Sequence, residues 1–178
     1  MVEHTTENRG VPGSSPGLAI HERPANELDL LADASFASAP RDPNWLVFIA
    51  ECGETCALLG ATNYAGELYD LLPIRRAQHH RRPSSRLRRS AHRVLGLLAA
   101  VTGQLDLAVD HLEAAAAANA RMGLQPFVVR AQAQLVAVLH ARGDHKRAAA
   151  LAADANAARE RLSIGPITEP QLPLAVRS

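Results

Sequence analysis

The sequence predicts an all-α protein, an array of three helical hairpins forming an α–α superhelix with disordered tails. The first observation behind this is compositional. Hydrophobic residues make up 47% of the chain but aromatics only 3%, so the apolar content is largely Ala, Leu and Val. Ala and Leu are strong helix formers, and a sheet would ask for more β-branched and aromatic residues. The second is punctuation: helix-length apolar segments stop at Gly60, Gly103, Gly123 and Gly143. The third is internal repetition around three of those glycines.

In chain order, residues 1–41 contain Pro12, Pro16, Pro24 and Pro40 with three early glycines and read as a tail, although Glu27 to Ala34 has the makings of a short helix. Asp42-Pro43 is a helix start, an acceptor side chain followed by a residue whose missing N–H is not needed there. The first helix of the array is expected from Asn44 to Leu59. The second is capped by Thr62 or Asn63 and ends at Leu72 before Pro73. The third covers about Leu87 to Thr102 and the fourth Leu105 to Met122. Pro126 opens the fifth, which runs to Arg142, and Asp144 caps the sixth, which ends near Ser163 with Gly165 beyond. The repeat domain thus spans 42–164, with hairpins at 42–73, 84–123 and 124–164, an Arg-rich linker at 74–90 and a proline-bearing tail at 165–178.

Aligned on Gly60, Gly103 and Gly143, the hairpins match in detail. Eight residues before the glycine stand Cys52, Leu95 and Leu135; seven before, Gly53, Gly96 and Val136; four before, Cys56, Ala99 and Leu139. Five after comes Ala65, Ala108 or Ala148; nine after, Tyr69, Leu112 or Ala152; twelve after, Leu72, Ala115 or Ala155. Small residues at two of these offsets let the helices of a hairpin approach closely, and the larger ones fill the space between hairpins. One hairpin cannot bury its own apolar face, so such arrays gain stability by stacking about three or more.

This order of leucine, small residue, turn glycine, alanine, large residue and alanine resembles the tetratricopeptide repeat, best in the second copy. The glycine spacings of 43 and 40 exceed the roughly 34-residue standard. More narrowly, Glu67-Leu68-Tyr69-Asp70-Leu71-Leu72-Pro73, Leu95-Gly96-Leu97-Leu98-Ala99-Ala100 and Asn119-Ala120-Arg121-Met122-Gly123 resemble the C-terminal helical-repeat region of large actinobacterial regulators. In that family the repeats follow a P-loop ATPase, often with a nucleotide-cyclase-like domain in front or a LuxR-type DNA-binding domain behind. The resemblance covers about Asn44 to Leu162 and implies a regulatory or signalling role, with the repeats as sensor or docking surface. No phosphate-binding loop of the Gly-x-x-x-x-Gly-Lys-Ser/Thr type is present, nor a cyclase signature or DNA-reading helix-turn-helix, so the chain matches the repeat portion alone. Arg75-Arg76-Ala77-Gln78-His79-His80-Arg81-Arg82-Pro83 departs from the family, which usually has an apolar, Gly-rich stretch there. Text of that kind is what a GC-rich gene gives when read locally out of frame, so a non-functional remnant of a larger regulator stands as one reading.

The net charge of +1 gives no overall reason to expect nucleic acid, but it hides an asymmetry. Arg75, Arg76, Arg81, Arg82, Arg86, Arg88, Arg89 and Arg93 fall together with no acidic residue among them. They could meet phosphates or an acidic partner. Without interleaved aromatics for base stacking, the run reads first as a solvated linker, and a nucleic-acid-associated regulator fragment is the alternative. Cys52 and Cys56 could offer a metal two thiolates one turn apart, completed by His79 or His80. They occupy offsets that Leu95, Ala99, Leu135 and Leu139 fill elsewhere, so core thiols are the better reading and no metal or cofactor is expected. His92, His111, His140 and His145 are scattered along the sequence and form no catalytic grouping by spacing, so an enzyme is not expected.

By analogy with the tetratricopeptide repeat, the informative residues of a binding module would face a groove formed by the first helix of each hairpin. Glu54, Arg93, Arg130, Gln134 and His140 are the candidates, and Arg93 with Arg130 could clamp a peptide carboxylate. The partner expected is an unidentified protein or peptide. A homodimer is also suggested, because Trp45, Leu46, Val47 and Phe48 leave the first hairpin under-capped. The two cysteines cannot staple the domain, the N-terminus lacks a charged-then-apolar signal pattern, and no apolar run is long enough for a bilayer. The expectation is therefore a cytoplasmic protein with no membrane partner.

Overall fold

The computed structural model describes residues 27–33, 36, 41–42, 44–72 and 85–165. All regular structure among them is helical: α1 (27–33), α2 (Trp45–Leu59), α3 (Thr62–Leu71), α4 (Ser85–Val101), α5 (Leu105–Ala120), α6 (Gln125–Arg142) and α7 (His145–Arg161).

Turn chemistry explains where these helices stop. Gly60, Gly103, Gly123 and Gly143 all take positive φ, between 67° and 89°, which only glycine adopts without a Cβ penalty. At each one the next N–H reaches back to a carbonyl of the last turn. Ala61 donates to Cys56 at 3.0 Å, Gln104 to Ala99 at 2.9 Å, Leu124 to Asn119 at 3.0 Å and Asp144 to Leu139 at 2.9 Å. This Schellman closure satisfies carbonyls that a helix end otherwise leaves open. The last helix closes the same way without glycine. Ile164 N–H donates to Arg159 O at 3.1 Å, with Ser163 in the left-handed region at φ 53°. The left-handed residue that closes α7 is therefore Ser163.

Helix starts follow the sequence less closely. Asp144 Oδ1 accepts the Arg147 N–H at 3.4 Å, as a cap should. Asp42 Oδ1 accepts from Asn44 N at 2.8 Å ahead of α2. Neither Thr62 nor Asn63 caps α3, whose N-cap is Ala61 with no side-chain bond. The helix starts at Thr62, so Thr62 and Asn63 lie inside its first turn, past the position from which a side chain accepts the N–H groups ahead of it. α4 begins at Ser85, so the last part of the stretch expected as a linker is helical.

Each helix from α2 onward packs on the next where the chain is continuous, and α4 also packs on both α2 and α3. The fold is thus joined through α4. Its Val94, Leu95, Leu97, Leu98 and Val101 belong to the apolar cluster of the first hairpin, with Ile49, Cys56, Ala65 and Leu68. Its Ala99 and Ala100 belong to the next cluster, with Ala108, Leu112, Leu135, Leu139 and Ala148. Leu97, Leu98, Leu112, Leu139, Val94, Val101 and Val138 are fully buried, each contributing about 1.5–3 kcal/mol by area. The first hairpin is accordingly in contact with the second, although Pro73 and the arginines up to Arg82 lie outside the described residues.

Two small-residue positions do the same job for different neighbours. A Cβ on Gly96 would stand 2.7 Å from Leu112 Cγ on α5, within its own hairpin. A Cβ on Gly53 would stand 2.6 Å from Val94 Cγ1 on α4, in the next hairpin. The close approach expected inside every hairpin is instead spent, in the first, on the contact between hairpins.

The N-terminal segment is more than a tail. Leu28 and Phe36 are buried in the first cluster, 2% and 1% exposed. Phe36 meets Tyr64 edge-on at 6.1 Å, Tyr64 donates its hydroxyl to Asp29 Oδ1 at 2.6 Å, and Arg41 lies over the Trp45 ring at 5.0 Å. α1, Phe36 and Arg41 therefore cover part of the hairpin end whose bareness suggested a homodimer. Trp45 and Phe48 pack partly buried on that cluster, while Val47 stays exposed.

Candidate functional site

The five groove candidates do not form one site. Three of them meet. Glu54 on α2 accepts from Arg93 Nη2 on α4 through one carboxylate oxygen, and from Arg130 Nη2 on α6 through the other, at 2.8 Å. One carboxylate thus ties together the first helices of all three hairpins, across 39 and 76 residues of sequence. The side chains of Glu54 and Arg93 are 18% and 13% exposed, that of Arg130 39%. Charge-assisted bonds of this kind are stronger than neutral ones, and guanidinium suits shared carboxylates. Arg93 Nη1 is buried and has no hydrogen-bond partner among the described residues.

Gln134 lies one turn beyond Arg130 on α6 and is buried, 3% exposed. His140 is farther along α6 and exposed. Its Nδ1 stands 3.2 Å from Nδ1 of His145, across the α6–α7 turn. The arginine pair read from sequence as open to a ligand is therefore already engaged by a carboxylate of the chain itself. The reason is geometric: α2, α4 and α6 lie close enough for side chains from all three to meet.

Of the basic run, Arg75, Arg76, Arg81 and Arg82 lie outside the described residues. Arg86, Arg88 and Arg89 fall on the first turns of α4, with side chains outside what is described. Arg93 faces Glu54 rather than joining the run.

Histidines that look scattered in sequence come together in two places. His92 on α4 and His111 on α5 place their Nδ1 atoms 3.2 Å apart, and the Tyr69 hydroxyl on α3 lies 2.8 Å from His111 Nε2. The second place is the His140–His145 pair. Among the described residues no three His, Cys, Asp or Glu side chains converge as a metal cluster. Cys52 and Cys56 are buried free thiols. Burial pushes the Cys56 thiol up to about 12, with nearby Cys52 adding to it, and that thiol donates to Ala61 O at 3.1 Å. A proton held so firmly suits a core thiol rather than a thiolate ligand.

A cavity of about 350 Å³ lies elsewhere, among α5, α6 and α7, lined by Leu135, Leu151, Gln132 and Asp154 with the Arg147–Glu113 ion pair. It is shaped largely by α5 and α7, and none of Glu54, Arg93 and Arg130 lines it. No described helix is long and apolar enough to cross a membrane. No protein-family model, curated protein or solved structure matches the chain.

Proposed function

We propose that this chain is a non-enzymatic interaction module of three tetratricopeptide-like hairpins, regulatory in context, that takes an acidic segment of a partner protein on its first-helix face. The observation that carries this reading is the Arg93–Glu54–Arg130 triad. Two guanidinium groups on two helices converge on one carboxylate. A partner carboxylate competes with Glu54 for Arg130, whose side chain is the most exposed of the three. The order of helix packing supports the repeat reading, since α2 packs on α3 and α4, α4 on α5, α5 on α6 and α6 on α7.

Fluorescence anisotropy with a labelled Glu/Asp-rich peptide and its Gln/Asn analogue tests this. The acidic peptide should bind, more weakly in high salt and in Arg130→Ala, and more tightly in Glu54→Gln, which withdraws the internal competitor. Equal binding of the neutral analogue, or no binding at low salt, would rule out the groove as an acidic-peptide site.

A further inference from the structure

We infer that the α6–α7 turn is a two-histidine chelate for a divalent ion of the zinc class, a site separate from the first-helix groove. His140 is in the last turn of α6 and His145 is the first residue of α7. Their Nδ1 atoms stand 3.2 Å apart and their ring centroids 5.5 Å. Two imidazole nitrogens bound to one tetrahedral zinc ion, each at about 2.0–2.1 Å, lie about 3.3–3.4 Å from one another. The two rings therefore already hold nearly the spacing that an ion between them requires.

The backbone fixes this spacing. Gly143, at φ 89°, donates to His140 O, and Asp144 donates to Leu139 O, so the chain reverses in a single closed turn. That turn brings together the positions three before and two after the glycine. In the other two hairpins those positions hold Ala57 with Thr62 and Ala100 with Leu105. The turn thus does not need histidine, and where both positions are histidine they meet. Both rings are exposed, so an ion reaches them from solvent without opening the core.

Charge around the pair is mixed. Asp144 lies between the two histidines, its carboxylate held by Arg142 and by the Arg147 N–H. That arrangement restrains the turn and leaves the imidazoles as the ligands. Since no third His, Cys, Asp or Glu of the described residues joins them, water fills the remaining positions. The ion takes the place of the hydrogen bond between the two Nδ1 atoms: the ring that donates it moves its proton to Nε2, and both neutral imidazoles then bind through Nδ1.

Zinc chloride titrated into the untagged full-length protein at neutral pH, followed by isothermal calorimetry and thermal melting, tests the site. One equivalent should bind, with a rise in Tm that a chelator reverses. His140→Ala and His145→Ala should each weaken that equivalent by about a hundredfold, because losing either ring turns a chelate into a single contact. Both substitutions are at exposed positions, and circular dichroism checks that the fold is kept. His79→Ala with His80→Ala should leave the equivalent intact. Absence of binding, or binding that survives both single variants and disappears with His79 and His80, overturns the assignment.

Discussion

Gly96→Ala is the sharpest test of how the helices meet. In an exposed helix interior, glycine to alanine stabilises by about 0.5–1 kcal/mol. At Gly96 the added Cβ would lie 2.7 Å from Leu112 Cγ, 3.0 Å from its Cδ2 and 3.3 Å from Ala108 O. Leu112 is itself fully buried and has no room to turn away, and the carbonyl moves only if α5 does. Overpacking of this kind costs about 1–3 kcal/mol. That cost outweighs the gain in helix propensity and leaves a net loss of about 0.5–2 kcal/mol. For a chain of 178 residues that is a fall in Tm of about 1–8 °C, at roughly 2–4 °C per kcal/mol. Gly66 on α3 is the internal control, because a Cβ there meets nothing within 4 Å. Gly66→Ala should gain the helix-propensity increment in full. Urea unfolding followed at the helical circular dichroism band reads both. A Gly96→Ala variant as stable as Gly66→Ala would refute the close packing of α4 on α5.

Glu54→Ala leaves the mostly buried Arg93 guanidinium without its carboxylate and should cost about 1–3 kcal/mol in urea unfolding, with Glu54→Gln losing less. Phe36→Ala should cost about 3 kcal/mol, since the ring is 1% exposed; an unchanged midpoint would return the N-terminal segment to the status of a tail. Cys56 makes stability depend on alkaline pH. Its folded pKa of about 12 exceeds the ordinary 9.0, so the folded state keeps the proton that the unfolded chain gives up. Its contribution is whole below pH 9, falls as pH rises towards about 12, and amounts to at most about 4 kcal/mol. Cys56→Ala should flatten that slope in a pH series of unfolding midpoints.

Much of the fold was legible because it rests on glycine. A left-handed helix end is visible in sequence when glycine supplies it, as at Gly60, Gly103, Gly123 and Gly143. A serine gives no such signal of its own, as at Ser163, and only Gly165 beyond it marked the end of the last helix. The matched offsets identified buried positions: Cys56, Ala99 and Leu139, and likewise Ala65, Ala108 and Ala148, are buried throughout. Leu28 and Phe36 escaped because proline-rich surroundings conceal two isolated anchors that no periodicity connects. At the candidate site, analogy with the repeat selected Glu54, Arg93 and Arg130, but such an analogy suggests which way a residue faces and not what it meets. Whether two arginines face a ligand or share a carboxylate depends on helix packing across 76 residues. The His140–His145 contact, by contrast, was recoverable from sequence, since both positions are fixed by their distance from a turn glycine.

Glu54 on α2 meets Arg93 on α4 and Arg130 on α6, and the proposed docking surface depends on that arrangement. A double-mutant cycle of Glu54→Ala and Arg130→Ala, read by urea unfolding at low salt, measures it directly. The half-exposed arginine limits the pair to a coupling of about 0.5–1.5 kcal/mol. A coupling in that range, between residues 76 apart in sequence, is the predicted result. Strictly additive effects would contradict it, for then α2 and α6 do not meet through this pair.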